Sequence, residues 1–394
     1  MATSEILTEV SLKVRVVLAL VVLLVLSAGL ANLGWKAYRW CQALNPAWRH
    51  PIAFGLCYAA LLVLVVAAVG AGQISGAAWT RWPALVGYVG LGVIVYSLLA
   101  VLVVDLLRLV GRLVKVVPAP TPRPLAIWAG LVVVALVVGL CGFGLADRAW
   151  RLDTVRYQVH LAGRSAEPVR LVLLSDLHLG LANRAGHLSR VVDAVERAEP
   201  DIIVLAGDIF DSNFTALGDP APIRAQFERL RAPLGVYAIL GNHDGGPTWS
   251  RMVELLDSAG VTLLSDQAVE VDGRFTLVGR RDSSPIGGTP TPRQPVPALT
   301  AAETARPIIV LDHQPSHLRE YLGQADLMLS GHTHRGQIWP VNWLVGALFE
   351  VPYGHWQDPS GSLQAIVTSG AGTWGPPMRL GSHCEIAVID LSFG

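Results

Sequence analysis

Five short apolar runs in the second half of the chain each stop at an aspartate, an asparagine or a histidine. Val172-Leu173-Leu174 leads to Asp176-Leu177-His178, and Ile202-Ile203-Val204-Leu205 leads to Gly207-Asp208. Val236–Leu240 runs into Gly241-Asn242-His243-Asp244, Ile308–Leu311 into Asp312-His313, and Leu327-Met328-Leu329 into Ser330-Gly331-His332-Thr333-His334. Apolar runs this short read as buried strands. Open α/β sheets bind their ligands at the carboxyl ends of the strands. The pattern therefore demands a sheet with carboxylate, amide and imidazole groups gathered along one edge.

The first half obeys another rule. The chain is 52% hydrophobic and 15% charged, with a mean hydropathy of +0.47. That is too apolar for an ordinary soluble protein, and the excess lies in residues 1–150. Apolar runs near 16–33, 52–72, 84–104 and 125–145 contain no Asp, Glu, Lys or Arg, and each approaches the ~20 residues that span a bilayer. Trp35, Trp40, Trp48, Trp79, Trp82 and Trp150 flank them as interfacial aromatics. The alternative for the first run is a cleaved signal peptide, with Lys13 and Arg15 before it and Ser27-Ala28-Gly29 as the cleavage region. The expected division is a transmembrane region over 1–150 and a catalytic domain over 152–394. With no charge inside a run, the region reads as an anchor rather than an ion pathway.

Charge separates the halves. Residues 1–150 carry 11 Lys+Arg against 4 Asp+Glu, and residues 151–394 carry 19 against 26. An acidic second half excludes a nucleic-acid surface as the working expectation. Lys36, Arg39, Arg49, Arg108, Arg112, Lys115 and Arg123 join spans 1–2 and 3–4. The positive-inside rule puts those segments in the cytoplasm and the catalytic domain on the external face, whereas Arg148, Arg151 and Arg156 argue for the reverse. Cys41, Cys57, Cys141 and Cys384 form no CxxC pair, which speaks against a disulfide framework or a thiolate metal site.

From about residue 152 short strands and helices alternate. Helices are expected over 186–198, with Leu188, Val191, Val192 and Val195 on one side, over 248–259, and briefly over 315–322. Further strands are expected over 261–264, 268–271, 275–278, 363–367 and 385–391. Pro285–Pro297 reads as a surface loop. Mixed strands and helices around one core imply two packed β-sheets flanked by helices. Carboxylate, imidazole and amide donors without thiolates suit Mn, Fe or Zn. They are too many for one ion, and two ions need a shared carboxylate, for which Asp208 is the natural candidate. Two such ions hold a hydroxide and clamp the attacking and leaving oxygens of a phosphoryl displacement.

Taken together, Asp176-x-His178, Gly207-Asp208-x-x-Asp211, Gly241-Asn242-His243-Asp244, His313 and Gly331-His332-x-His334 resemble the calcineurin-like metallophosphoesterases. Ser330–Gln337 and Pro377-x-Arg379 are similar to the membrane-associated YkuE/YaeI-type branch, and the resemblance covers roughly 168–392. It implies an α/β (α+β) four-layer sandwich preceded here by the all-α transmembrane region. It also implies two divalent metal ions: one on Asp176, His178 and His334, the other on Asn242, His313 and His332, with Asp208 shared. His243 would contact phosphate and protonate the leaving group, and Asp244 would orient that imidazole. Metal-held hydroxide would attack phosphorus in line. Arg335 stands where the branch often has Gly, and reads either as a phosphate grip or as a solvated loop charge. His383-Cys384-Glu385 replaces a more usual Pro-Glu.

Several residues stay open. His317 rivals His313, Asp211 reads as a loop support, and Asp282 lies either near the site or in a solvated turn. Trp339, Trp343, Leu344, Val345, Leu348 and Phe349 are expected in the core, with an apolar lip that meets lipid as the alternative. The functional expectation is a membrane-anchored phosphoesterase acting on a phosphodiester or pyrophosphate, with a lipid-linked substrate of the UDP-diacylglucosamine type as one candidate. The alternatives are a phosphodiesterase or phosphatase for soluble substrates, a non-catalytic metal sensor, and a transporter regulated by the hydrolase.

Overall fold

A computed structural model describes residues 2–394 except 75–76, 119, 163–166, 290 and 297–305; for 2–19 and 78 it describes backbone alone. Internal packing divides the chain into two compact units. One holds 1–66 and 90–141, the other 67–89 and 142–394.

The first unit is helical. It contains α1 (Ala2–Leu44), most of α2 (Pro51–Ile74) and α3 (Arg81–Leu113), and the first part of α4 (Arg123–Trp150). All four are long and apolar enough to cross a membrane, as backbone that satisfies its own hydrogen bonds must be to do so. They outrun the charge-free stretches, so Lys36 of α1 and Asp105 of α3 fall inside helices, where they pair with each other. Polar side chains bind helix carbonyls: Tyr58 to Leu30 O at 3.0 Å and Trp40 Nε1 to Ile127 O at 3.2 Å.

The second unit is built on two six-stranded sheets. Its strands are β1 (Asp153–Leu161), β2 (Val169–Leu174), β3 (Ile202–Ala206), β4 (Val236–Ile239), β5 (Thr262–Leu263), β6 (Gln267–Val271), β7 (Phe275–Gly279), β8 (Ile308–Leu311), β9 (Leu327–Ser330), β10 (Gly354–Gln357), β11 (Gln364–Val367) and β12 (Glu385–Phe393). The first sheet runs β1-β12-β2-β3-β4-β5 and the second β10-β11-β9-β8-β7-β6. Both are mixed: β2, β3, β4 and β5 are parallel with β12 antiparallel to β2, and β7, β8, β9 and β11 are parallel with β6 and β10 antiparallel at the edges.

Alternation along the strands builds the layers. Leu171, Leu173, Val204, Ile309, Leu311 and Leu329 face inward into the core between the sheets. Val172, Leu174, Ile203 and Leu205 point the other way, onto α5 (Ala185–Ala198), α6 (Ala221–Phe227) and α7 (Trp249–Ser258). Val278, Val310 and Met328 pack under Leu318, Tyr321 and Val351 on the far face. This is the expected two-sheet sandwich flanked by helices. Of the Pro285–Pro297 loop, the described residues are mostly exposed, while Pro290 and Pro297 lie outside the described set. Core packing does not hold for the segment after His334: α8 (Val341–Leu348) has no buried residue.

Candidate metal centre

Each ligand candidate follows a strand directly. Asp176 and His178 come after β2, Asp208 after β3, Asn242 and His243 after β4, His313 after β8, and His332 and His334 after β9. Parallel neighbours in register bring these ends together: Leu205 pairs with Ala238, and Leu311 with Leu329. Five of the candidates adopt positive φ: Asp176 (53°), His178 (42°), Asp208 (51°), His332 (70°) and His334 (50°). Such backbone is costly for non-glycine residues and concentrates at functional sites. It turns each side chain off the end of its strand. Gly331 is required beside them, because a Cβ there would collide with Ser175 Oγ and Asp176 Oδ2.

Three groups of donor atoms lie within 4.8 Å of one another: Asp176, His178 and His334; Asp208, His313 and His332; and His178, Asp211 and His243. His178 Nε2 and His334 Nε2 stand 3.0 Å apart, and His334 Nε2 is 3.4 Å from Asp176 Oδ1. Asp208 Oδ2 lies 3.1 Å from His313 Nε2 and 3.5 Å from His178 Nε2, so it touches both halves of the cluster. Asn242 Oδ1 meets His332 Nδ1 at 2.9 Å. His313 is aimed by Nδ1, which faces Ala206 O at 2.8 Å.

Electrostatics favour cation binding. Burial pushes Asp176 up to about 6, against the pull of His313. It pushes His178 down to about 3 and His332 to about 4, and holds His334 well below its usual range, so these imidazoles are neutral donors at neutral pH. Burial also opposes ionisation of Asp208, but His313 beside it outweighs that and holds the carboxylate below its ordinary range. His313 Nε2, His178 Nδ1 and Asp211 Oδ1 are buried without a hydrogen-bond partner; the His313–Asp208 approach is close but not aligned as a hydrogen bond. Orphaned buried donors and acceptors are rare. Hard oxygen and imidazole nitrogen atoms converging in this way fit divalent cations.

His243 is held from both ends. Its backbone N–H donates to Asp208 Oδ1 at 2.8 Å, and its Nδ1 faces Ser212 Oγ at 2.8 Å and Asp211 Oδ1 at 3.9 Å. Its ring meets that of His178 edge-on at 4.9 Å and lies 5.5 Å from Trp374, which is exposed. The expected hold of Asp244 on this imidazole is not made. The short turn Asn242–Asp244 sends the Asp244 carboxylate back to the N–H groups of Phe210 (2.7 Å), Gly241 (2.8 Å) and Ile209 (3.1 Å). Asp244 therefore splints the β3 and β4 loops, and the groups facing His243 Nδ1 come from the β3 loop.

The open readings resolve as follows. His317 turns from the cluster to Asp312 Oδ2 at 3.0 Å, which Arg293 and Tyr321 also bind. Asp282 is buried and caps a turn, accepting from Ser284 N and Gln314 Nε2. The Arg335 guanidinium sits 4.2 Å over the Tyr353 ring. Sequence reasoning marked Arg379 only as a branch feature, yet it is fully buried and reaches His334 O at 2.9 Å, Ser369 O at 2.7 Å and Gly372 O at 2.6 Å. Asn183 was missed; its amide ties His178 O to Thr373 O. Neither residue carries a sequence signal for this role, because both act through carbonyls brought together by the fold.

Residues 169–336 match the calcineurin-like phosphoesterase family. An uncharacterized metallophosphoesterase of Aquifex aeolicus is 33% identical over 57% of this chain and 85% of its own length. A transmembrane protein with metallophosphoesterase domain from Danio rerio is 30% identical over 79% of this chain and 74% of its own. Phosphodiesterase YaeI of Escherichia coli is 30% identical over 65% and 95%. With both sheets, the strand-end cluster and these relatives in agreement, the chain belongs to the calcineurin-like metallophosphoesterases and is a phosphoester hydrolase with four N-terminal helices of membrane-spanning length.

Proposed function

We propose that the protein is a membrane-anchored phosphodiesterase or pyrophosphatase that uses two divalent metal ions, Mn, Fe or Zn. The observation that carries this reading is Asp208, whose Oδ2 lies within reach of both imidazole groups of the cluster. Asp176, His178 and His334 would hold one ion, and Asn242, His313 and His332 the other. When bound, such a pair lowers the pKa of a water molecule and neutralises charge on the attacking and leaving oxygens.

The protein's own groups do the rest. His243, fixed through Nδ1, presents Nε2 to the substrate and donates a proton to the leaving oxygen. Asp211 and Ser212 keep that ring in place, and Asp244 keeps its loop in place. Burial keeps the His178, His332 and His334 imidazoles deprotonated; at His313 burial is outweighed by Asp208, which raises that imidazole to about 10, so His313 must lose a proton to act as a ligand. Trp374 shields one side of His243 from water.

Residues 1–150 would form the membrane region, with four spans and the catalytic domain of 152–394 on the external face. Four spans return the chain to the side of its N-terminus. Arg81 and Arg148, on the catalytic side, bind Leu181 O and Ala182 O of the domain, which accounts for their presence there. Anchoring favours a lipid-linked phosphoester, such as a UDP-diacylglucosamine-type pyrophosphate. A diester substrate agrees with the name of the Escherichia coli relative.

The test is hydrolysis of bis(p-nitrophenyl) phosphate and a panel of lipid pyrophosphates by detergent-purified protein supplied with Mn. Activity lost in Asp208→Asn supports the reading. A wild-type protein that binds metal yet turns over no phosphoester would leave the metal-sensor alternative.

A further inference from the structure

We propose that α8 is an interfacial membrane helix that lies in the bilayer surface and holds the rim of the metal site against phospholipid headgroups. The proposal rests on the membrane-anchored reading above and deepens it by naming the route by which a lipid substrate arrives.

Val341-Asn342-Trp343-Leu344-Val345-Gly346-Ala347-Leu348 contains no charged residue and buries none of its side chains. Trp343 is 68% exposed, Leu344 58% and Leu348 68%. A contiguous apolar surface of this kind marks a contact site, and the occupant follows from what lies beside it. Trp339, just before α8, donates its N–H to Leu380 O at 2.6 Å, and Arg379 N donates to Gly144 O at 2.9 Å. Gly144 belongs to α4, six residues before its end at Trp150. α4 outruns its charge-free run, which ends at Leu145, so Gly144 lies one residue, about 1.5 Å, inside the end of that run, with Asp147 and Arg148 just beyond it. α8 thus starts two backbone contacts from the end of the apolar run of α4, the level at which a spanning helix would leave the hydrocarbon for the headgroups. Trp150, Trp79 and Trp82, in the same compact unit, are 83%, 74% and 66% exposed, as residues of an interfacial aromatic belt are. Uncharged aromatic and leucine-rich surface suits the headgroup–acyl boundary.

The helix is also tied to the chemistry at both ends. Its chain leaves directly from His334–Gly336 and returns at Phe349, whose ring lies 6.0 Å from that of His332. Gln337, between His334 and α8, binds Trp374 through both its amide atoms, to Trp374 O at 2.8 Å and Trp374 N at 2.9 Å. Trp374 in turn stands beside His243. One continuous rim therefore runs from the helix to the proposed proton donor. A phosphoester headgroup lifted slightly from the bilayer plane meets the site without its acyl chains leaving lipid.

The experiment uses the full chain in phosphatidylcholine nanodiscs, with Cys41, Cys57, Cys141 and Cys384 replaced by Ala and a nitroxide on Leu344→Cys. Collision with oxygen, which concentrates in lipid, should exceed collision with a water-soluble nickel chelate at least fivefold. The exposed Arg281→Cys label should show the reverse. A Leu344 label that favours nickel overturns the proposal, as does one shielded from both probes, which would mean a protein partner covers the helix. As a second measurement, Leu344→Glu/Leu348→Glu should lower the ratio of vesicle-embedded lipid pyrophosphate turnover to bis(p-nitrophenyl) phosphate turnover at least tenfold, and an unchanged ratio overturns the headgroup route. Oxygen-accessible labels in a wild-type protein that cleaves only the soluble ester would uphold the inserted helix and refute the lipid-substrate reading.

Discussion

Replacing Arg379 by Met tests whether one buried cation splints the metal site. Its guanidinium is fully buried and donates to His334 O (2.9 Å), Ser369 O (2.7 Å), Gly372 O (2.6 Å), Ser382 Oγ (3.1 Å) and Gly370 O (3.3 Å). Methionine keeps most of the apolar stem and leaves the Ser369 and Gly372 carbonyls without a nitrogen donor, while His334 O keeps Gln337 N at 2.9 Å. Each buried acceptor left alone costs about 1–3 kcal/mol. Relief from burying the guanidinium charge offsets part of this, so the net loss is about 2–4 kcal/mol. For a domain of this size that lowers Tm by roughly 4–16 °C, at about 2–4 °C per kcal/mol. The assay is thermal unfolding of the detergent-purified protein, followed by tryptophan fluorescence, with metal content on the folded fraction. Arg319→Met is the control, since Arg319 is exposed and pairs with Glu350 on the surface, where about 0–1 kcal/mol is at stake. The folded variant should also lose metal from the half containing His334. A Tm within about 2 °C of wild type with metal content intact would refute the reasoning.

Four further outcomes follow from the same geometry. Gly370→Ala places a Cβ 2.6 Å from Asp176 Cβ at a φ of +83°, so Asp176 must move by about 0.8 Å to regain van der Waals contact; turnover should fall on the order of 100-fold, and kinetics of the folded variant check it. His243→Gln should lower kcat by roughly 10²–10⁴ with metal content unchanged by elemental analysis. Burial holds His187 down to about 3, with His187 Nε2 facing Ala371 O; a group whose pKa is depressed on folding adds stability above the unfolded value near 6.5 and loses it as pH falls toward 3, about 2 kcal/mol by pH 5, and His187→Gln should flatten that part of the Tm–pH curve. Chelation should lower Tm in the wild type, because cations that bind only the folded state stabilise it by mass action, and should do so less in Asp208→Asn.

What was legible in the sequence was local. A strand and the residue that ends it are neighbours, so Val172–Leu174 followed by Asp176, or Leu327–Leu329 followed by His332, announces both the element and its ligand. The alternation of Leu171 and Leu173 with Val172 and Leu174 likewise assigns the two faces of β2. What was hidden depends on distant chain. Asp244 sits next to His243 in sequence, yet the turn at Asn242–Asp244 aims the two side chains apart. Arg379 reads only as part of Pro377-x-Arg379 until the carbonyls of residues 334, 369 and 372 close around it. α8 reads as core because apolar composition cannot tell a protein interior from an exposed apolar surface. The exposure of its side chains in the fold separates the two.

The strain at the ligands explains why those supports exist. Left-handed backbone costs a non-glycine residue roughly 1–2 kcal/mol, and five ligand candidates adopt it. Together that approaches the whole stability of an ordinary domain, about 5–15 kcal/mol. Such a concentration persists only where the surroundings leave the backbone no other conformation. The supports are visible around each position. His178 N is bound by Asp208 O and His178 O by Asn183, Asp176 N by Gly207 O, His332 N by the Asp176 carboxylate, and His334 O by Arg379. All but the His178–Asn183 bond, which lies within the loop after β2, join loops that follow different strands. The sheets bring the loops within reach of one another, and the loops then lock each other in place. Because Arg379 belongs to this set and its N–H also binds Gly144 O, the end of α4 is part of the same lock. On this view the last turns of α4, which belong to the same compact unit as the sheets, help to hold the ligands in the conformation that gathers them.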